Sequence, residues 1–344
     1  MPIETFIALV ALALAYTFDF VNGFHDTANA VATVIYTKAL RPNIAIIMSG
    51  LLNFLGCLLV GTAVAEVITE VIPRDHLSLS IIMSVLLGGL AWNIWTWYHG
   101  VPVSSSHCLI GGLFGAGVAA GGYDGVHWGK LSEVLVGLAI SPVLGFVAAM
   151  LLTALINKVY KIEPATGPEG KRSKTDPMRW MQILSSAAVS FTHGSNDGQK
   201  TMGVITIILA THFHRGGFTL DHIPLWVIAS SAAAIGLGTM IGGWRVIRTV
   251  GTKISRERLQ YAHGFAAEFS TAAIILSASL MGAPISTTHT LSSAVAGGTV
   301  GLHGVAKLNI KTLKLIFSAW LLTLPVAAGL AGVAYVLIRL GGLR

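Results

Sequence analysis

Two short polar sequences each occur twice in a chain that is otherwise apolar. Residues 22–30 read NGFHDTANA and residues 193–201 read HGSNDGQKT, while PVSSSH at 102–107 returns as PISTTH at 284–289. Ionisable side chains are costly in apolar surroundings and are kept there for function. In the first pair Asp26 and Asp197 stand at matching positions after Gly23 and Gly194, with Asn22, Asn29 and Asn196 beside them. Carboxylates combined with amide and main-chain oxygens ligate hard cations or accept protons, so these are the expected coupling-ion groups. The glycines are expected to break the helix and let main-chain carbonyls turn inward. In the second pair Pro102 and Pro284 stop a helix, and the runs Ser104, Ser105, Ser106 and Ser286, Thr287, Thr288 signal the cap of the next one. Such a helix start offers unpaired N–H groups, hydroxyl donors and roughly half a positive charge. Two of them meeting near a membrane midplane would make a site for a tetrahedral oxyanion. The plainer reading, that each Ser/Thr only caps its helix, loses weight because the pattern occurs twice.

Other polar residues leave alternatives open. Glu268, in HGFAAEFSTAAIIL, is a third buried carboxylate for the coupling-ion set, or a structural hydrogen-bonding group. Lys200 is alone among the basic residues in lying within an apolar run; it contacts the anion or neutralises Asp197. His107 and His289 follow the two tips and either orient the hydroxyls or pack. His212, His214 and His222 crowd Asp221, but their spacing matches no standard zinc site. Trp92, Trp95 and Trp97 suit interfacial anchoring or packing. Cys57 and Cys108 sit in apolar segments without metal spacing and read as packing residues. No dedicated metal site and no cofactor are expected.

These residues must be positioned by membrane helices. Hydrophobic residues are 53% of 344 and charged ones 11%, with mean hydropathy +0.73; that composition belongs to polytopic helical membrane proteins rather than to soluble folds. The start, MPIETFIALVALALAYTFDF, lacks a basic lead and a small-residue cleavage site, and reads as a first transmembrane helix. Apolar runs fall at about 4–37, 43–65, 79–99, 104–121, 131–157, 180–212, 224–243, 262–281, 285–300 and 312–338. Those at 104 and 285 are short and follow Pro and Ser/Thr, as the return arms of re-entrant hairpins would.

The connections alternate in charge, with sixteen Lys and Arg on one side and five on the other. That places the basic side in the cytoplasm and both termini outside, at the plasma (inner) membrane, and it accounts for the net charge of +7 without nucleic acid. With this topology the second half repeats the first in reversed direction. The fold class is therefore an all-α polytopic membrane protein of two inverted repeats, each with a broken helix and a re-entrant helical hairpin. The expected units are 1–157, a cytoplasmic linker at 158–179 containing EPATGPEGKRSKTDP, and 180–344. A duplicated polar site of this kind points to a carrier. An intramembrane enzyme would need a nucleophile or metal motif such as HExxH, and a channel would need charged rings or a carbonyl filter; the sequence presents none of these.

The motifs resemble those of the PiT inorganic phosphate transporters. The family signature resembles GANDVANA in the first half and GANDGQK in the second, and the counterparts here are GFHDTANA at 23–30 and GSNDGQK at 194–200. The tips are similar too, and GFHDTANAVATVIYT at 23–37 and GTMIGGWRVIRTVGTKI at 238–254 resemble the bacterial low-affinity permeases of the Pit type. The resemblance implies phosphate import by a homodimer, with the tips, Lys200 and Gln199 on phosphate and the Asp/Asn motifs on the coupling cation. For the bacterial branch it implies proton symport, with phosphate often entering as a neutral divalent-metal complex. Sodium coupling and a sulfate or other oxyanion cargo are the alternatives. One departure bears on the ion: His25 stands where the general motif has Asn, which replaces an oxygen ligand by a side chain type that ordinarily titrates near neutrality and so favours protons.

Overall fold

Apolar runs bounded by proline, serine or glycine become helices, and the computed structural model describes residues 3–162, 176–213, 218–220 and 222–342. In chain order the helices are α1 (Ile3–Asp26), α2 (Ala28–Tyr36), α3 (Pro42–Leu59), α4 (Ala63–Thr69), α5 (Leu79–Tyr98), α6 (Ser105–Gly121) and α7 (Trp128–Tyr160). The second half continues with α8 (Pro177–His212), α9 (Leu225–Ile241), α10 (Trp244–Lys253), α11 (Tyr261–Leu280), α12 (Thr287–His303) and α13 (Ile310–Leu340). Among the described residues there is no strand, only one isolated bridge between Ser255 and Leu308. Most of the linker sequence lies outside the described residues.

Among the described residues five helical spans are long and apolar enough to cross a membrane, and a sixth arises if α9 and α10, bent by 66°, count as one. The long helices α7 and α13 turn Val136, Leu151, Leu321 and Leu337 outward, the surface a lipid environment solvates at no cost. α8 fails the same test because its middle is HGSNDGQK, yet those eight residues are all buried. Burial inside protein, rather than contact with lipid, is what makes them tolerable.

Element lengths recur between the halves. α5 and α11 have 20 residues each, α6 and α12 have 17 each, and α7 and α13 have 33 and 31. Packing is exchanged: α6 lies on α13 and α12 on α7, while α3 lies on α8 and α9 on α1. Each half therefore completes its core with helices of the other.

The motif helices are not broken at their glycines, contrary to the sequence-based expectation. α8 runs without interruption from Pro177 to His212, and α1 passes into α2 through the single residue Thr27, whose torsions are helical. In a low-dielectric interior each broken main-chain hydrogen bond costs several kcal/mol, which favours the continuous helix. The glycines serve close approach. A Cβ on Gly194 would collide with the Asn53 carbonyl oxygen on α3, and one on Gly23 with the Ile235 carbonyl oxygen on α9. Two further differences concern length: the run at 43–65 divides at Gly61, where φ is +99°, and the basic stretch after Gly243 forms the separate helix α10.

Candidate functional site

Both hairpin turns are built alike. α5 ends in a left-handed Gly100 (φ +66°), with Val101 N donating to Thr96 O at 3.0 Å; α11 ends in Gly282 (φ +69°), with Ala283 N donating to Ala278 O at 2.8 Å. Glycine accepts this conformation without strain, and the motif satisfies the last carbonyls of each arm. The proline-containing segments then run extended to Ser104 and Ser286. Their hydroxyls accept from His107 N at 3.2 Å and His289 N at 3.1 Å and so start α6 and α12. Helix geometry leaves the main-chain N–H groups of Ser105, Ser106, Thr287 and Thr288 without intrahelical acceptors.

The side chains of the two tips meet the two motif helices in matched pairs. Ser105 Oγ donates to Asp26 Oδ2 at 3.1 Å and to Asn22 Oδ1 at 2.6 Å. Thr287 Oγ1 donates to Asp197 Oδ2 at 3.1 Å. The second hydroxyl of each tip is reached from the opposite motif: Asn29 Nδ2 donates to Thr288 Oγ1 at 2.9 Å, and Lys200 Nζ to Ser106 Oγ at 2.6 Å. Asn29 and Lys200 hold the same position in their repeats, three residues after the aspartate. Lys200 pairs with Asp197 Oδ1 at 2.5 Å, one of the two roles the sequence allowed it, and it also reaches tip atoms, including Ile285 O at 3.0 Å.

His193 joins the carboxylates and was missed by sequence reasoning, although it matches Asn22 in the repeat. Its Nε2 lies 3.3 Å from Asp197 Oδ2 and 3.9 Å from Asp26 Oδ2. Its Nδ1 is 2.5 Å from Asn53 Oδ1, and Asn53 Nδ2 donates to Ser49 O at 2.9 Å, which fixes the amide so that Nδ1 carries the proton. Nε2 is then either a lone pair for a cation or a second N–H facing two carboxylates. Ligand atoms of Asp26, His193 and Asp197 all lie within 4.8 Å of one another, and all three residues are buried. On the far side of Asp26, His25 Nδ1 lies 2.7 Å from Oδ1.

Three expected members stand elsewhere. Gln199 faces away from the tips: its Oε1 accepts from Val64 N at the start of α4 at 2.8 Å, and its Nε2 donates to Ser195 O. Asn196 spends its amide on Ser279 Oγ and Ala283 O, with Ile285 N 3.5 Å from its Oδ1; it braces the second turn instead of joining the carboxylates. Glu268 accepts from Thr33 on α2 and from Ser185 Oγ (2.6 Å) on α8, a separate buried cluster. For Gln199 and Asn196 helical phase decides, since residues adjacent in sequence point about 100° apart around the axis; Glu268 stands apart because α11 carries it to Thr33 and Ser185. The tip histidines do not bind the hydroxyls. Their rings lie against each other at a tilt of 37° with centroids 4.3 Å apart, and His289 stacks on Trp320. Both cysteines are buried and free, in keeping with packing. His214 and Asp221 lie outside the described residues.

The chain as a whole is similar to known proteins. Residues 22–331 match the model of the phosphate transporter family. The chain is 39% identical to a probable low-affinity inorganic phosphate transporter of Bacillus subtilis, over 99% of both chains. It is 30% identical to the low-affinity inorganic phosphate transporter PitA of Escherichia coli, over 95% of both. A solved structure described as the sodium-dependent phosphate transporter superposes with TM-score 0.83 at 25% identity, covering 97% of this chain and 99% of that one. On sequence and structure together, this multi-pass membrane protein belongs to the phosphate transporter family and is not an enzyme.

Proposed function

We propose that the protein imports inorganic phosphate across the plasma (inner) membrane by symport with protons, and that the two tips and two aspartates form one binding site. The observation that carries this is the pairing of Ser105 with Asp26 and of Thr287 with Asp197. Hydroxyl donors now held by carboxylates can transfer to phosphate oxygens, joined by the main-chain N–H groups of the first turns of α6 and α12. A carboxylate released from its hydroxyl then accepts the P–O–H proton that phosphate keeps near neutral pH and sulfate lacks, which selects between the two anions. Lys200, already on Ser106, supplies fixed positive charge next to the anion.

Anion import needs co-bound positive charge, because moving one uncompensated charge costs about 2.3 kcal/mol per 100 mV. Nitrogen donors at His25 and His193 stand beside the carboxylates, and imidazole suits protons better than sodium. Sodium coupling is the second reading, favoured by the description of the structural neighbour as sodium-dependent. The trio of Asp26, His193 and Asp197 also suits a divalent cation arriving as part of a neutral metal phosphate.

The exchanged packing and recurring lengths support two inverted repeats, 1–157 and 180–344, joined by a cytoplasmic linker at 158–179, with both termini outside. A homodimer is the assembly proposed. The deciding experiment is radiolabelled phosphate uptake by purified protein in proteoliposomes, under a proton or a sodium gradient separately, with magnesium present or chelated. Proton-driven uptake supports the reading; sodium-driven uptake transfers coupling to sodium; loss on chelation identifies metal phosphate as cargo; and absence of uptake under either gradient overturns phosphate symport.

A further inference from the structure

Asp19 is a buried carboxylate that the phosphate site does not use. It lies on α1 three residues before Asn22 and seven before Asp26, with no exposed surface. Positions spaced by three and seven share a helix face, so it lies about 10 Å along α1 from Asp26 on the site-facing side. Among the described residues neither carboxyl oxygen has a partner in good hydrogen-bond geometry; the Thr201 hydroxyl on α8 is its polar neighbour, and it too has no other partner.

Among the described residues every cation near Asp19 is committed elsewhere. The three donors of Lys200 point at Asp197 Oδ1, Ser106 Oγ and Ile285 O. His193 spans from Asn53 to the two site carboxylates, and His25 Nδ1 lies on Asp26. The other titratable groups around Asp19 are Tyr16 on its own helix and Cys57 on α3, while α9 carries none and α5 only Tyr98 at its far end. An ionised carboxylate without a cationic partner in such a place costs enough that the group takes up a proton instead.

We propose that Asp19 binds the coupling proton of the transport cycle. It is the neutral acid while phosphate is loaded, and it releases the proton to water when the site opens to the other side; no other bond changes. The link to phosphate is electrostatic. Deprotonated Asp19 adds a negative charge on the helix face that presents Asp26 to the anion, so protonation and phosphate binding favour each other.

This role rests on the phosphate-symport reading, and the test separates the two. Wild-type and Asp19→Asn proteins are reconstituted, and two quantities are measured: phosphate accumulation driven by a pH gradient, and phosphate–phosphate exchange at equal pH. Asp19→Asn is expected to keep measurable exchange while pH-driven accumulation falls about tenfold or more. Wild-type-like accumulation by Asp19→Asn overturns the role of Asp19 alone, whereas a wild-type protein inert in both assays overturns the transport reading and this role with it. If Asp19→Asn also loses exchange, Asp19→Glu decides: recovery of pH-driven accumulation by the longer acid supports proton binding, and failure of both variants assigns Asp19 to packing and overturns it. Accumulation driven by sodium in the wild type and lost in Asp19→Asn assigns the group to sodium and likewise overturns the proposal.

Discussion

The two motif helices present the same face with different chemistry. At matched positions α1 and α2 carry Asn22, His25, Asp26 and Asn29, and α8 carries His193, Asn196, Asp197 and Lys200. Only the aspartate is shared, and each aspartate takes the first free hydroxyl of a tip, Ser105 or Thr287. The reach across to the opposite tip is also shared, but it is made by a neutral amide in one half and an ammonium in the other. Symmetry therefore supplies the frame of aspartates and tip hydroxyls, and departures from symmetry supply the charge. Histidines show the same division: His25 flanks Asp26 from its own half, whereas His193 stands between the two carboxylates.

The comparison breaks most sharply at the aspartates. Asp197→Ala strands Lys200 in the interior, and removing one partner of a buried ion pair costs about 3–5 kcal/mol. Asp26→Ala strands no lysine, so thermal unfolding in detergent is expected to show a larger loss for Asp197→Ala, while phosphate uptake is lost in both. Equal unfolding temperatures would show that Lys200 is not stabilised by Asp197.

Next come the glycines, where the halves should behave alike. Gly23→Ala and Gly194→Ala each push a methyl group into a facing carbonyl, of Ile235 and Asn53 respectively. Overpacking of this kind costs about 1–3 kcal/mol. Gly194→Ala has a second expected consequence, since Asn53 also orients His193. Its uptake should therefore fall further than that of Gly23→Ala at similar stability, and matched uptake would remove Asn53 from the site's support.

The caps should be nearly equivalent. Ser104→Ala and Ser286→Ala each remove one N-cap hydrogen bond, worth about 1 kcal/mol, and loosen the tip that follows. The half-saturating phosphate concentration is expected to rise similarly in both, and a change confined to one variant would assign phosphate to that tip alone. The smallest effect is one of shape. His25→Asn makes the first motif resemble the second and is expected to flatten the pH dependence of uptake with little loss at its optimum; an unchanged profile would leave His25 a packing residue.

Some of this was legible in residue types alone. Ser104 and Ser286 after their prolines announced helix starts, and both cap as expected. Asp26, Asp197 and the tip hydroxyls were legible because they occur twice. His193 stands in the second motif, where residue type alone gives it no role; its alignment with Asn22 is the available signal. Asp19 had no such signal, since its counterpart in the second half is Ser190. The helix breaks were misread because glycine permits both a distorted backbone and a close crossing, and only the facing carbonyls of Asn53 and Ile235 distinguish the two.

Sequence by itself determined the class, the helices, the caps and the duplicated polar motifs, because burial cost, proline and serine chemistry act over a few residues. Tertiary structure alone decided which groups meet. Asn29 reaches Thr288 and Lys200 reaches Ser106 across 259 and 94 residues of chain, and Gln199, Asn196 and Glu268 turn elsewhere. Those contacts depend on helical phase and on which helices pack together, and neither is written in local spacing.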